Sequence, residues 1–583
     1  MGYLNWIQRR IESPSAVRWI IGLAFILALP ALVSPLAADD YIQQGLLEGS
    51  ESFSGLEGDP LSNYFVFVSG DPDTRHRLME DGIMPWWTAP EFRLAFARPI
   101  SALTHIVDHF LWPGNGPLIH LHSLGWFALL LFALWRLFNR IHGPRLAALA
   151  LLIYAVDDAR GMVLSFAANR NALIAAFFGV CTLLAYDRWR RDGWRLGAAL
   201  GPVLLAMALL AGESAIATTA FLFGYAVVLD RGRWWARLMR LAPYAAVVVA
   251  WQVGYSALGY GATASGVYVH PLHEPLAFLA KLLERAPILA LGQLAVPPSD
   301  LWFIVPLGAK LVIYALAIGV IVVAWQQGRR LVRAQPELAF WLIGATVSLV
   351  PISATFASDR LLVFVGMGTA VALAAFFTHA LREQPAPGDR RLLLKTLVAV
   401  HLVLAPLLLP VRSLTTLPLA HGVEAIDASI PREPAIADER LVVVYARLEA
   451  PFCYQRWERR LMQIPQPRKL RLLATGLGPA SITRLDARTL RIRPDAGFYP
   501  LEAHQMVRGP QSPLAKGDTI TLSDLTITIT AVTAEGRAHA VDFRFASPLE
   551  SSAMRWMRGE GEGLVAWSPP PVGETVILHT TLF

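Results

Sequence analysis

Up to about residue 410 the chain alternates long apolar runs with short polar gaps, and beyond that point the pattern changes. A helix of about twenty predominantly apolar residues crosses about 30 Å of hydrocarbon. On that template the pattern predicts spans at 17–38, 118–138, 146–156, 172–186, 196–211, 215–228, 242–258, 301–325, 338–355, 361–379 and 392–409. These make about eleven spans, several of them short. Two further segments, "ISALTHIVDHFLW" and "PLAFLAKLLERAPILALGQLAV", have helical apolar spacing but carry ionisable residues. They read as helices lying on or dipping into the outer leaflet. From about residue 420 the apolar runs are replaced by short alternating stretches such as "RLVVVYAR", "TLRIRP", "LTITITAV" and "AVDFRF", bounded by Gly, Pro and Asp. That period-two pattern predicts a compact all-β domain of sandwich or barrel type. The expected organisation is a transmembrane domain over 1–415, with a long first outer loop at 39–98, followed by a β-rich domain over 420–583.

Composition agrees with a polytopic membrane protein: of 583 residues 55% are apolar and 16% charged, and the mean hydropathy is +0.45. The formal charge of +7 comes from short Arg and Lys clusters between apolar runs. It therefore reports topology rather than a nucleic-acid-binding face. The clusters at Arg136/Arg140/Arg145, Arg188/Arg190/Arg191/Arg195, Arg231/Arg233/Arg237/Arg240, Arg329/Arg330/Arg333 and Arg382/Arg390/Arg391/Lys395 occupy every second connection. Because positive loops stay cytoplasmic, this alternation puts the N-terminus inside. The loop from Asp39 and everything after Arg412 are then extracytoplasmic. The expected location is a bacterial inner membrane, with the β domain periplasmic. Trp86 and Trp87, ahead of the next apolar stretch, suit an interfacial aromatic belt. The two cysteines, Cys181 and Cys453, suggest no disulfide.

This topology gathers a small set of ionisable residues at the outer ends of the spans: Asp39, Asp40, Arg93, Arg98, Asp157, Asp158, Arg160, Arg170, Glu213, His270, His273, Glu274, Asp359 and Arg360. Each is costly near hydrocarbon unless paired or solvated in a cavity. A shared outward-facing cavity would hold carboxylates at one end and guanidinium groups at the other. Arg donates two parallel hydrogen bonds to phosphate and keeps its charge. Such a site in a bilayer points to a substrate with a lipid tail and a phosphate head.

The "ADDY" directly after the first span, the long first outer loop, "RP" before a "HLHSL" span and "SFAANRNALIAAFFGV" together resemble the GT-C superfamily of membrane glycosyltransferases. The resemblance is nearest to the protein O-mannosyltransferase-like members and their bacterial relatives, and covers roughly residues 10–410. It implies a GT-C-like fold and transfer of a sugar from a polyprenyl-phosphate-linked donor to an acceptor on the extracytoplasmic side. An acidic residue of the first outer loop would act as general base or metal ligand, and basic residues would hold the carrier phosphate. Carried onto this chain, the acidic motif falls on Asp39 and Asp40, where the mannosyltransferases usually show Asp-Glu. Either one is then the base. Arg98, Arg170, Arg360, Arg93 and Arg160 are the candidates for donor and phosphate binding. Direct displacement with inversion is the expected course, with an acceptor that is a lipid, glycan or protein.

Glu213, His105, His120 and His122 are candidate substrate-binding residues. His105 and His109 share a helix face, but His120 and His122, two apart, point in different directions on a helix. A zinc site needs three or four converging ligands, so no metal site is assigned here; the resemblance alone leaves room for a divalent ion, and no other cofactor is expected. No nucleotide-binding pattern occurs in the cytoplasmic loops. The competing readings are a transporter or lipid flippase whose outer Arg and Asp line a path, and a non-catalytic membrane scaffold whose β domain binds the partner. Against the first, the ionisable residues collect at one face instead of near the bilayer midplane.

Overall fold

The computed structural model describes residues 16–48, 59–382 and 388–580. Arg9 and Arg10, which precede the first span, lie outside the described residues, as does 49–58 of the first outer loop. Among the described residues six helices are long and apolar enough to cross a membrane: Ala16–Val33, Gly116–His142, Ala167–Asp192, Leu307–Ala334, Val363–Arg382 and Arg390–Ala428. Four shorter apolar helices accompany them: Pro144–Ala155, Leu196–Ala211, Glu213–Val228 and Leu338–Ile352. The protein is a multi-pass membrane protein.

Proline moves two of the predicted boundaries. The first helix proper ends at Ala28 and tightens into a turn over Leu29–Val33, because Pro30 and Pro35 lack the N–H that would continue the ladder. Asp39 therefore opens a separate helix, Asp39–Leu47. The span expected from 301 starts at Leu307, directly after Pro306, and runs on to Ala334.

Ion pairs bring basic connections together at one end of the bundle. Arg140 pairs with Asp187 at 2.6 Å and Asp192 at 2.9 Å, and Arg190 and Arg240 share Asp230 at 3.0 Å each. The helix Arg170–Asp192 carries Asp187 at that end and Arg170 at the other, about 25 Å apart at 1.5 Å per residue. At the Arg170 end lies the helix Pro99–Leu111, which buries Ser101, Ala102, His105 and Asp108 and exposes Leu103, Val107, Phe110 and Leu111. An exposed apolar stripe on one face is what a helix resting at the interface requires.

Beyond this helix the outer segments are tied to one another and to the C-terminal region. Strands Val66–Val68, Arg93–Ala95 and Gly261–Thr263 form a three-stranded antiparallel sheet. The C-terminal region is β-rich, with a six-stranded antiparallel sheet and a four-stranded sheet. In the latter, Arg440–Val443 and Lys469–Leu472 run parallel. A parallel pair needs a crossover, and the helix Ala450–Leu461 supplies it. The all-β expectation missed that helix because its buried face, Phe452, Gln455, Trp457 and Arg459, is half polar and leaves no apolar stripe of helical period in the sequence.

Trp86 and Trp87 are not in an interfacial belt. Both are buried in the core shared with the C-terminal sheets. Trp86 donates its indole N–H to Leu473 O at 2.8 Å and meets Phe498 and Phe543 edge-on, while Trp87 stacks on Tyr499. Two adjacent indoles find more apolar area to bury there than at a membrane boundary.

Candidate functional site

The site is built where the prolines release the chain after the first span. Ala38 has φ +53° and ψ −117°, a conformation an L-residue rarely adopts. It turns the chain so that Asp39 and Asp40 enter the first turn of the helix Asp39–Leu47, where the helix dipole favours carboxylates. From there the two carboxyls diverge.

Asp40 is buried and has both oxygens engaged: Oδ2 accepts from the N–H of Ala37 at 3.1 Å, and Oδ1 from the N–H of Ala168 at 2.8 Å. Burial pushes its pKa up to about 7. The two N–H groups and Arg170 oppose that shift, and the Asp39 charge adds to it. Asp40 thereby clamps the outer loop to the segment leading into the helix Arg170–Asp192.

Asp39 is half-buried, and its Oδ1 accepts from the Tyr454 hydroxyl at 3.0 Å. Its other oxygen makes no hydrogen bond among the described residues. Burial raises its pKa, while the Tyr454 bond and the charges of Arg360 and Arg98 pull it down. Arg360 and Arg98 therefore lie within electrostatic reach of Asp39. Arg360 sits over the Phe356 ring at 5.0 Å, its Nε is buried without a partner, and it makes no ion pair among the described residues. Arg98 donates through Nε and Nη2 to Glu213 Oε2 at 2.8 and 2.7 Å, and Tyr255 donates to the other Glu213 oxygen at 3.3 Å.

The remaining arginines are occupied elsewhere. Arg170 is fully buried and donates to Asp108 Oδ2 at 2.5 Å, Ser123 Oγ at 2.9 Å and Ile119 O at 2.7 Å. It locks helices together and has no exposure to offer a phosphate, so the expected clamp role does not suit it. Arg160 is likewise buried and reaches Asp157 and Leu362 O, and Arg93 donates to Ser69 O at 3.1 Å. Neither hydrogen-bonds or pairs with Asp39 or Asp40 among the described residues.

The histidines separate. His122 Nδ1 lies 2.6 Å from Asp108 Oδ1, and Trp126 donates to its Nε2 at 3.1 Å. The indole N–H requires Nε2 to be unprotonated, so Nδ1–H faces Asp108. His120 is buried against Ser34 O at 3.1 Å. His105 is stacked on Tyr64, its Nε2 has no partner, and burial holds its pKa well below the usual range. It lines a cavity of about 40 Å³ together with Asp40, Gln43, Tyr64 and Asp108. Gln43 is buried with both its amide nitrogen and oxygen unpartnered. A buried orphan donor or acceptor costs about 1–3 kcal/mol, so this cavity suits a guest with hydroxyl groups.

A divalent ion fits this geometry poorly. Both Asp40 oxygens face N–H groups, which leaves a single unengaged carboxylate oxygen, on Asp39, where a hard cation takes six or more oxygen ligands. Among the described residues no three His, Cys, Asp or Glu side chains converge as a metal site.

Tyr454 and Gln43 were not singled out from the sequence. Gln43 was recoverable, since it lies one helical turn after Asp39 and Asp40. Tyr454 lies 415 positions from Asp39, on a helix whose placement no local pattern encodes.

No family model and no curated protein sequence matches the chain. Solved structures do show a likeness. One is the Archaeoglobus fulgidus oligosaccharyltransferase tethered with an acceptor peptide containing the NVT sequon, at 13% identity and a TM-score of 0.40, over 78% of this chain and 64% of that one. Another is ArnT from Cupriavidus metallidurans bound to undecaprenyl phosphate, at 13% identity and a TM-score of 0.38, over 78% and 90%. The chain spans under two thirds of the oligosaccharyltransferase's length. At these scores the likeness carries no argument about the reaction, which is left to the side chains.

Proposed function

We propose that the protein transfers a sugar from a polyprenyl-phosphate-linked donor to an acceptor hydroxyl or amide on the extracytoplasmic face, with Asp39 as general base. The observation that carries this reading is the half-engaged carboxylate of Asp39 within electrostatic reach of Arg360, a guanidinium with no ion pair among the described residues. A base and an uncompensated cation at one site match a reaction that takes up a proton at one end and releases a phosphate at the other.

The acceptor oxygen or nitrogen attacks the anomeric carbon, and its proton passes to Asp39 Oδ2. The bond from that carbon to the carrier phosphate breaks, and its electron pair leaves on the phosphate oxygen. Arg360 stabilises the charge that gathers there. A pKa raised by burial brings the carboxylate closer to the operating pH of a general base. One displacement inverts the sugar carbon. Arg98, tied to Glu213, sets the local potential without offering its fork, and Asp40 holds the backbone in place. His105 and Gln43, with their unpartnered atoms, would meet sugar hydroxyls.

The test replaces the wild-type protein with Asp39→Asn in cells and follows lipid-linked sugars and surface glycans by mass spectrometry. The expected result is accumulation of one polyprenyl-linked sugar and loss of one glycan modification, since positioned proton transfer is worth about 10²–10⁴ in rate. Unchanged donor pools and glycans, with the variant at wild-type level in the membrane, would overturn the assignment.

A further inference from the structure

The C-terminal region holds a second pocket that the transferase chemistry does not use. It is a cavity of about 330 Å³ between residues 499–513 and the turn at Glu535, Gly536 and Arg537, at the lower end of the range for small-molecule sites. Its walls include Pro500, Pro510 and Pro513. Three prolines stiffen the loop before any ligand arrives, so little ordering cost remains on binding.

Its two guanidinium groups are only loosely compensated, Arg508 by Glu91 and Asp518 at a distance. Arg508 is 6% exposed and donates only to carbonyls, Trp87 O at 2.6 Å, Thr88 O at 3.3 Å and Ser512 O at 2.6 Å. These satisfy three of its five N–H groups and none of its charge, and it has no ion pair among the described residues. Arg537 donates to Ala496 O at 3.1 Å and Phe498 O at 2.8 Å, and its Nη2 lies 3.6 Å from Glu535, whose side chain is 68% exposed. Arg508 thus has no carboxylate in direct contact among the described residues, and Arg537 has one loosely held one. A buried cation with no carboxylate in hydrogen-bond contact is costly, and a monoanion entering the pocket would lower that cost.

The rest of the lining is suited to a polyhydroxylated ring. Tyr499 is held at φ +41°, a strained value for a residue with a side chain. Its hydroxyl accepts from the Ala538 N–H at 3.3 Å, which leaves the phenolic proton free to donate. The Gln505 amide stands beside it. The loop is stitched to two outer segments of the membrane part: Ala89 N–H donates to Val507 O at 2.9 Å, and Gly266 N–H to Gln505 O at 2.8 Å.

We propose that this pocket binds an anionic saccharide unit, a sugar carrying one carboxylate or phosphate, with Arg508 and Arg537 meeting the charge and Tyr499 and Gln505 meeting the hydroxyls. The proposal does not depend on the Asp39 chemistry, and its test reads binding alone.

The purified full chain in detergent is titrated at low ionic strength with D-glucuronate, D-glucose and inorganic phosphate, followed by calorimetry. Glucuronate is expected to saturate one site, with glucose and phosphate at least about tenfold weaker. Arg537→Gln should weaken glucuronate by about tenfold or more, as expected for loss of a charge-assisted hydrogen bond. Because Arg537 also braces two carbonyls, Tyr499→Phe serves as the second variant. It keeps the ring and removes the hydroxyl, with a several-fold loss of glucuronate binding beside a modestly lowered melting temperature, because the buried Ala538 N–H loses its acceptor. Phosphate binding as tightly as glucuronate would overturn the saccharide assignment. No saturable binding, or binding indifferent to both variants, would overturn the site.

Discussion

Asp39 and Asp40 are adjacent in the chain and opposite in employment, and the difference lies in what the two carboxyls face. Asp40 accepts two backbone N–H groups and is buried; Asp39 accepts one hydroxyl and its other oxygen has no hydrogen bond among the described residues. Asp40, with a folded-state pKa of about 7 against an ordinary value of 3.8, binds a proton that the unfolded chain releases. The folded state then holds more protons than the unfolded one between about pH 4 and 7, so this group's contribution to stability falls as pH rises through that window. Asp40→Asn should flatten the dependence of the thermal inactivation midpoint on pH over that range, while lowering the midpoint itself because an amide N–H would face a backbone N–H. Tyr454→Phe acts in a different way. Its hydroxyl holds the Asp39 pKa down, so its removal should move the acid limb of the activity profile to higher pH and leave the donor KM unchanged. An unmoved limb would show that Tyr454 does not bear on Asp39.

Among the helices, the contrast between Arg170 and Arg360 separates architecture from chemistry. Arg170 opens the helix Arg170–Asp192 and satisfies Asp108, Ser123 and Ile119 from within it. Removing one partner of a buried ion pair costs about 3–5 kcal/mol, so Arg170→Gln should unfold the outer end of the bundle and be lost from the membrane fraction. Arg360→Gln should leave the melting temperature within about a degree or two and weaken binding of the lipid phosphate by roughly 10- to 100-fold, the range for a hydrogen bond to a charged group. From sequence both were arginines at the outer end of a span. What separates them is whether neighbouring helices already use the guanidinium, and periodicity does not carry that information. The helix Ala450–Leu461 makes the same point from the other side: Tyr454 reaches Asp39 and Glu458 accepts from Tyr41 at 3.4 Å, so a C-terminal element is part of the site's wall.

Taken whole, the molecule does not divide at the end of its last long helix. One hydrophobic core takes Ile42, Val68, Trp86, Trp87 and Phe92 from the outer loop and Val442, Tyr445, Phe498, Tyr499 and Phe543 from the C-terminal region. Arg471 joins the two again through Glu80 at 3.0 Å and Asp524 at 2.7 Å. A chain truncated after residue 430 keeps Asp39, Asp40, Arg98 and Arg360, yet exposes two tryptophans and loses Tyr454. It should be inactive and bind a hydrophobic dye at room temperature, whereas a truncated chain with wild-type activity would show that the C-terminal region is a separate appendage.

The membrane class, most of the apolar runs that became helices, the β-rich character of the C-terminal region and the acidic motif were determined by the sequence alone. Lipid demands long uninterrupted apolar runs and sheets demand a period of two, and both leave a local trace. The tertiary structure alone decided which of the two carboxylates has an oxygen without a hydrogen bond among the described residues, which outer arginine lacks an ion pair there, and that Tyr454, 415 positions away, reaches Asp39. Burial and pairing depend on the neighbours that folding brings, and those neighbours are remote in the chain.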